Sequence, residues 1–285
     1  MKKQKMTKYI LTLFFAAIIW SCNYKDEIKP VQKYKTVTTK YTEIKEIISK
    51  EVDDTFYVYV RLPKNYDQSN EKYPVLYLLD GDISFNMATS IVRYLQYGND
   101  VPEMIIIGIG YGTMMNDNEQ NFRERDYSIS KVERFHESGG ADKYLNFIEK
   151  ELIPTVEKNY RTSNLRILNG YSLGGLFTLN TLIDKPELFN YYIAGSPYLS
   201  NDISELDEKA SQINKFEKKK KLFISVGETE DQIEYHNPIK RIEEKLDKIE
   251  NLSLKFVEFE NGTHFTCPTE ALTYGLRFVF SIMEQ

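Results

Sequence analysis

The sequence predicts an α/β fold in which a mostly parallel central sheet carries helices on both faces. Two observations predict it. Strand-like runs alternate along the chain with segments of helical periodicity, which is the pattern of a parallel sheet covered by helices. Residues 74–79 and 104–109 are continuously apolar, as is typical of strands that are buried on both faces. Of the 285 residues, 41% are hydrophobic and 13% aromatic, which is enough for one sizeable core.

The strands are predicted from short runs rich in apolar and β-branched residues. In chain order they are expected at residues 35–49, 55–62, 74–79, 104–109, 165–168, 191–194, 222–226 and 254–259. The first two are joined without room for a helix, so this N-terminal pair is expected to be antiparallel. Helical patterns are found at residues 142–158, 173–183, 238–249 and 269–283.

The N-terminus resembles an export signal. Four lysines among the first eight residues precede a mostly apolar stretch, residues 9–20, which is shorter than the roughly 20 residues that a membrane-spanning helix needs. The sequence Ile19-Trp20-Ser21-Cys22 then resembles a bacterial lipobox, in which the cysteine is lipidated and becomes the new N-terminus. A plain signal peptide or a single membrane anchor is the alternative.

These features predict three regions: a lipoprotein signal peptide over residues 1–21, a polar tether over 22–35 and one α/β domain over 36–285. Residues 25–27, a lysine and two acidic residues, resemble the surface-export tag of Bacteroidetes lipoproteins. The expected location is therefore the outer membrane or cell surface of a Gram-negative bacterium, with the membrane as a partner through the lipid on Cys22. Cys267, the second of two cysteines, then has no partner for an intrachain disulfide.

The charge balance excludes a general nucleic-acid-binding protein. The chain has 37 basic and 42 acidic side chains, a formal net charge of −5, whereas phosphate binding depends on clustered positive charge. The one dense basic run, residues 218–221, is interpreted as the solvated end of a helix that leads into a strand.

The candidate nucleophile is Ser172, in the segment Gly170-Tyr171-Ser172-Leu173-Gly174. This G-x-S-x-G pattern lies between an apolar strand and an apolar helix, which is the context of a nucleophile elbow. A serine on so sharp a turn needs neighbours without a Cβ two residues to either side, and Gly170 and Gly174 meet that need. The amide of Leu173 then lies at a helix N-terminus and is a candidate donor to an oxyanion.

A serine hydroxyl needs a base, and the chain has three histidines, His136, His236 and His264. In folds with such an elbow the order along the chain is serine, acid, histidine. His264 follows the last predicted strand and is the predicted general base, whereas His236 precedes that strand. His136 precedes the serine and is assigned to a substrate-binding loop.

The acid is expected in the loop after the strand at residues 222–226, where Glu228, Glu230 and Asp231 compete. Its task is to hold the imidazole tautomer and to stabilise the imidazolium. Glu230 is favoured, followed by Asp231 and then Glu228, because the acid must stand far enough past the strand end to reach His264. A serine–histidine dyad without an acid stays open.

A second oxyanion donor is expected after the strand at residues 74–79. The loop there is Asp80-Gly81-Asp82, and Gly81 allows the backbone to approach closely. The donor amide is therefore assigned to Asp82 or Gly81. An ordinary turn is the alternative, because Asp-Gly pairs are common in turns.

These segments together resemble the esterase family that includes esterase D, enterochelin esterases and feruloyl esterases. The matching residues are 77–81, Arg123 with 125–127, 147–154 with 160–162, 170–175, 186–189, 196–197 and 262–264. The resemblance implies an α/β-hydrolase fold and hydrolysis of carboxylic esters with no metal or organic cofactor. Carried over by position, Ser172 is the nucleophile and His264 the general base.

The resemblance also implies where substrate binds. In relatives with siderophore substrates the Arg-Asp-Tyr segment lies near the substrate cleft, so Arg123 or Arg125 is expected to bind an anionic group. A structural pair between Arg125 and Asp126 is the alternative. The polar segment 111–137 favours a polar substrate over a long acyl chain.

The expected function is therefore that of a serine esterase that works through an acyl-enzyme. Siderophore trilactones and carbohydrate-linked acetyl or feruloyl esters are both compatible substrates. Two other functions stay open: an acyltransferase on the same fold, and a non-catalytic surface-binding lipoprotein.

Overall fold

A computed structural model of the chain describes residues 38–113, 121–133, 135 and 137–281. The chain divides between Thr38 and Thr39, and the secondary structure below belongs to the second unit, Thr39–Gln285. The predicted signal peptide, the predicted tether and Cys22 lie outside the described residues, and so does the predicted domain boundary at residue 35.

The sheet of the second unit has eight strands: β1 (Thr42–Ser49), β2 (Asp54–Arg61), β3 (Tyr73–Leu78), β4 (Ile105–Gly110), β5 (Thr162–Tyr171), β6 (Tyr191–Gly195), β7 (Lys215–Gly227) and β8 (Glu250–Phe259). Their order across the sheet is β1-β2-β4-β3-β5-β6-β7-β8. Strand β2 is antiparallel to both of its neighbours, and every other pair is parallel. The prediction of a mostly parallel sheet with an antiparallel N-terminal strand is confirmed.

Within the described residues the α-helices are α1 (Gly81–Tyr97), α2 (Arg123–Tyr127), α3 (Ala141–Phe147), α4 (Ile153–Asn159), α5 (Leu173–Asp184), α6 (Ile203–Ser211), α7 (Asn237–Leu246) and α8 (Pro268–Phe280). A π-helical turn, Ile148–Leu152, joins α3 to α4, and a second, Gln232–His236, precedes α7. No helix of the described part of the chain is both long and apolar enough to cross a membrane.

The sheet buries side chains on both faces. In β3, Val75 and Tyr77 face one hydrophobic cluster, while Leu76 and Leu78 face the other, as the two-residue period of a strand requires. Helices α2 to α7 complete the first cluster, and α1 and α8 complete the second. Because β3 and β5 to β8 are parallel, their carboxyl ends meet at one edge, where α/β proteins place their sites.

Strand β7 begins earlier than predicted and takes in the basic run at residues 218–221. Lys220 and Lys221 are buried. The Lys220 ammonium donates to the Phe189 carbonyl oxygen (2.7 Å), and the Lys221 ammonium donates to the Ser281 carbonyl oxygen (2.7 Å). The interpretation of this run as a solvated helix end is therefore wrong for these two lysines, because backbone carbonyls replace water around their charges.

Helix α1 occupies the place of the loop predicted after β3. Asp80 adopts a left-handed conformation with φ 52°, and the helix starts directly at Gly81. Phe85, Ala88 and Val92 are buried at helical spacing, so the signal of an amphipathic helix is present in the sequence. The candidate oxyanion residues after β3 therefore belong to a helix N-terminus and not to a loop.

Gly81→Ala is expected to lower the free energy of unfolding by about 1–3 kcal/mol, the usual cost of overpacking. A Cβ at Gly81 would lie 2.6 Å from the Ile109 nitrogen and 2.7 Å from the Gly108 carbonyl carbon, both backbone atoms of β4. The matched control is Gly98→Ala at the other end of α1, where the nearest atom is a rotatable carboxylate oxygen of Asp100. Urea unfolding followed by circular dichroism measures both variants, and equal midpoints would contradict this packing.

Candidate active site

Ser172 lies between β5 and α5 in a strained conformation, with φ 60° and ψ −118°. Its amide donates to the Gly195 carbonyl oxygen (2.9 Å), which ties the end of β5 to the end of β6. Its carbonyl oxygen accepts from the amides of Leu176 and Tyr198, both at 3.0 Å. These three hydrogen bonds hold a backbone conformation that a serine rarely adopts.

The glycines near Ser172 let strand and helix approach closely. A Cβ at Gly170 would overlap the Gly174 carbonyl oxygen, and a Cβ at Gly175 would lie 2.9 Å from the Gly195 carbonyl oxygen. This geometry is that of a nucleophile elbow.

Glu230 and His264 meet at the ends of β7 and β8. His264 Nδ1 lies 2.8 Å from Glu230 Oε2, while Glu230 Oε1 accepts from the Ser196 hydroxyl (2.6 Å) and the Gly227 amide (2.8 Å). The Glu230 side chain is only 1% exposed. Burial raises the pKa of Glu230, but the hydrogen bonds from His264, Ser196 and Gly227 outweigh it, and the net pKa is lowered below its usual value. The arrangement keeps a buried carboxylate ionised beside an imidazole.

The other two candidate acids point elsewhere. Asp231 Oδ1 accepts from the amides of Ile233 and Glu234, both at 2.8 Å, and so caps the π-helical turn before α7. Glu228 Oε2 accepts from the Asn261 amide (2.7 Å). Of the three carboxylates, the structure brings Glu230 to His264.

Three further polar residues surround this pair and were not singled out from the sequence: Ser196, Tyr171 and Tyr235. The Tyr171 hydroxyl donates to the His264 carbonyl oxygen (2.7 Å) and lies 3.0 Å from the Ser196 hydroxyl. Tyr171 occupies the first variable position of G-x-S-x-G, and Ser196 belongs to a segment that matches the family. Their positions were therefore visible in the sequence, but their contacts were not.

Ser172 and His264 line the same cavity, which has a volume of about 690 Å³. His264 Nδ1 contacts Glu230, and no hydrogen bond joins the described side chains of His264 and Ser172. Catalytic hydrogen bonds are often long or poorly aligned until substrate binds. The Tyr235 ring lies 4.9 Å from the His264 ring. The pKa of Tyr235 is raised to about 12, first by burial and then by the Glu230 and Glu234 carboxylates, while the neighbouring Ser172 hydroxyl opposes the rise.

Two helix N-termini border the cavity. Leu173 is the first residue of α5, and Gly81 and Asp82 are the first residues of α1, where backbone amides have no partner within the helix. The Asp82 carboxylate is turned toward β4, because its oxygens accept from the Tyr59 hydroxyl and from the Tyr111 amide (2.6 Å). The predicted oxyanion residues thus come from two helix starts at neighbouring strand ends.

The structure separates the two predicted substrate-binding arginines. Arg123 lines the cavity, but its guanidinium is paired with the Asp80 carboxylate. Arg125 lines a different cavity. Its Nε donates to Asp126 Oδ1 (2.7 Å), which holds the guanidinium there. The structure therefore does not bring Arg125 to the cavity of Ser172, and its contacts are those of the alternative structural pair. His136 lies outside the described residues.

The cavity walls are more apolar than the segment 111–137 suggests. Ile83, Met87, Phe265 and Pro268 all line it. In the described ranges, no group of three or more histidine, cysteine, aspartate or glutamate side chains is arranged to hold a metal ion.

Comparisons with known proteins show similarity over most of the chain. A model of the Putative esterase family matches residues 49–264. The chain is 27% identical over 259 residues to the ferri-bacillibactin esterase BesA of Bacillus subtilis. The aligned region covers 83% of this chain and 89% of the relative.

Two solved structures share the architecture. The BES protein of Bacillus cereus superposes with a TM-score of 0.77 at 27% identity, covering 89% of this chain and 100% of that one. An IroE-like serine hydrolase from Shewanella oneidensis superposes with a TM-score of 0.74 at 28% identity, covering 84% of this chain and 80% of that one. The family match runs from the end of β1 to His264, well over half of the chain. The chain therefore belongs to the Putative esterase family, and it is a serine-type ester hydrolase with the α/β-hydrolase fold.

Proposed function

We propose that the protein hydrolyses carboxylic esters with a catalytic triad of Ser172, His264 and Glu230. The observation that carries the proposal is the 2.8 Å contact between Glu230 and His264 beside a cavity that Ser172 lines from a strained elbow. A buried ionised carboxylate on Nδ1 leaves Nε2 as the base for a hydroxyl, which is the division of roles in a triad.

In the proposed mechanism, His264 Nε2 takes the hydroxyl proton of Ser172 while Oγ attacks the ester carbonyl carbon. The Glu230 carboxylate orients the imidazole and stabilises the imidazolium. Amides at the N-termini of α5 and α1 donate to the oxyanion. The imidazolium then protonates the leaving alcohol, and water activated by the same imidazole cleaves the acyl-enzyme.

We propose siderophore esters as the substrate class, with a catecholate trilactone as the first candidate. The ferri-bacillibactin esterase among the relatives supports this class. The cavity supports it as well, because Ile83 and Phe265 on its lining are 82% and 90% exposed. Such apolar side chains gain free energy when a flat aromatic group covers them. Acetylated carbohydrates offer no such group.

Ser172→Ala is expected to lower the rate of ester hydrolysis by at least about 10³-fold, because no nucleophile remains. The measurement compares kcat/KM on a catecholate trilactone, a feruloyl sugar and acetylated xylan, with fluorophosphonate labelling of the wild type as a second readout. The trilactone should give the highest value. Activity of Ser172→Ala within about tenfold of wild type would remove Ser172 from the mechanism. A preference for acetylated xylan would overturn the substrate class.

Glu230→Gln is expected to lower kcat by about 10²–10⁴-fold, because an amide neither stabilises the imidazolium nor enforces the tautomer. Glu228→Gln in the same loop is the matched control, since its carboxylate contacts a backbone amide and not the imidazole. Steady-state kinetics on a p-nitrophenyl ester measures both variants. Equal losses in the two variants would show that the effect comes from the loop and not from the triad.

The lowered pKa of Glu230 also makes stability depend on pH. Because the folded pKa lies below the unfolded value of about 4.5, the ionised carboxylate stabilises the fold above about pH 4.5. That stabilisation is lost as the pH falls through the folded pKa. The difference in unfolding free energy between wild type and Glu230→Gln is therefore expected to shrink in acid, and a constant difference from pH 7 to pH 3 would contradict this.

We propose that the chain is an exported lipoprotein, anchored through Cys22 in the outer membrane or at the cell surface. The lipobox-like sequence that ends at Cys22 supports the proposal. Cells expressing Cys22→Ala are expected to lose palmitate labelling of the protein, whereas Cys267→Ala, the matched cysteine control, keeps it. Labelling that survives in Cys22→Ala would reject the lipid anchor.

A further inference from the structure

Arg123 spans the carboxyl ends of β3 and β5. Its Nε and Nη2 donate to the two carboxylate oxygens of Asp80, at 2.9 and 3.1 Å. Nη2 also donates to the Tyr171 carbonyl oxygen at 3.3 Å. A bidentate arginine–carboxylate pair sets direction as well as distance. One guanidinium therefore fixes the position of Asp80 relative to Tyr171.

Asp80 and Tyr171 each stand beside a proposed oxyanion donor. Asp80 directly precedes Gly81, the first residue of α1. Tyr171 directly precedes Ser172, which is followed by Leu173, the first residue of α5. Asp80 Oδ2 also lies 3.2 Å from where a Cβ at Gly174 would be, in the first turn of α5. The paired carboxylate thus fills the space between the two helix N-termini.

The charge of Arg123 is already compensated. The side chains of Arg123 and Asp80 are 26% and 17% exposed, and the guanidinium lies 5.8 Å from the centre of the Tyr127 ring. The Asp80 amide donates to the Tyr127 hydroxyl (3.1 Å), so the same tyrosine supports both partners. A substrate anion would have to compete with the Asp80 carboxylate for the charge of this guanidinium. The contacts therefore favour a role inside the protein over anion capture.

We propose that Arg123 is a positioning residue that sets the separation of the two amides of the oxyanion hole. The proposal rests on the esterase function proposed above and extends it. Lysine cannot replace this arginine, because one ammonium on a flexible chain does not reproduce a planar fork that bonds two oxygens and a carbonyl. A misplacement of about 1 Å in a catalytic site can cost about 10²-fold in rate.

The test compares Arg123→Lys with Arg125→Lys, which breaks a similar bidentate pair on the same helix but outside the cavity. Neutral p-nitrophenyl acetate and the anionic p-nitrophenyl hemisuccinate are the substrates. Arg123→Lys is expected to lower kcat by about 10–100-fold on both esters with KM within about threefold, while Arg125→Lys keeps kcat. A KM raised on the anionic ester alone, or an unchanged kcat, would overturn the proposal.

A second readout reports on the oxyanion hole itself. With an aryl trifluoromethyl ketone, Ser172 Oγ bonds to the carbonyl carbon while the hydroxyl proton passes to His264. The C=O π electrons move to the ketone oxygen, which becomes a hemiketal oxyanion in the hole. Arg123→Lys should weaken inhibition by about the same factor as it lowers kcat/KM, because both depend on the same amides. Inhibition as strong as in wild type would overturn the proposal.

Removal of one partner of a largely buried ion pair also destabilises the fold. The double variant Asp80→Asn with Arg123→Gln removes both charges and is expected to recover thermal stability relative to Arg123→Gln alone. Under the proposal its kcat stays low, because the bidentate ionic fork is still absent. A kcat that returns to the wild-type value with the stability would show that Arg123 acts only on the fold.

The activity of the wild type distinguishes a failure of the Arg123 proposal from a failure of the esterase function. If the wild type hydrolyses both esters and Ser172→Ala does not, the esterase function stands and the Arg123 variants decide the positioning role alone. If the wild type hydrolyses neither ester and takes up no fluorophosphonate, both proposals fall together.

Discussion

The strained backbone of Ser172 is the constraint on which the rest of the site depends. A non-glycine residue held in such a region costs of order 1–3 kcal/mol, so it persists only where its surroundings impose it. Here the Ser172 amide is bound to the end of β6, and the absence of a Cβ at Gly170 lets β5 and α5 meet. The cores on both faces of the sheet thus stabilise a conformation that presents one hydroxyl to the cavity.

The strand order explains how Glu230 and His264 meet although 34 residues separate them. Strands β5, β6, β7 and β8 are consecutive neighbours, so their carboxyl ends stand side by side. Ser196 follows β6 and donates to Glu230 after β7, which in turn contacts His264 after β8. A buried carboxylate is tolerated only when its lone pairs are satisfied, and this row of strand ends satisfies them.

Two further carboxylates hold the opposite side of the cavity. Asp80 is paired with Arg123, and Asp82 accepts from the Tyr111 amide, so the start of α1 is bound both to β5 through the guanidinium and to the end of β4. Buried polar groups that are fully paired specify one arrangement, whereas apolar packing alone tolerates several. These polar pairs therefore restrict the position of α1 more narrowly than its hydrophobic contacts would do alone.

Local patterns were enough to predict the parallel sheet, a serine between strand and helix, and a histidine loop after the last strand, because periodicity and turn chemistry act over a few residues. Helix α1 was missed although its apolar spacing is visible in the sequence. Only the tertiary structure decided that Glu230 faces His264, and that Arg123 and Arg125, two residues apart, line different cavities. Which side chains meet depends on how distant strand ends are packed together, and no local pattern encodes that.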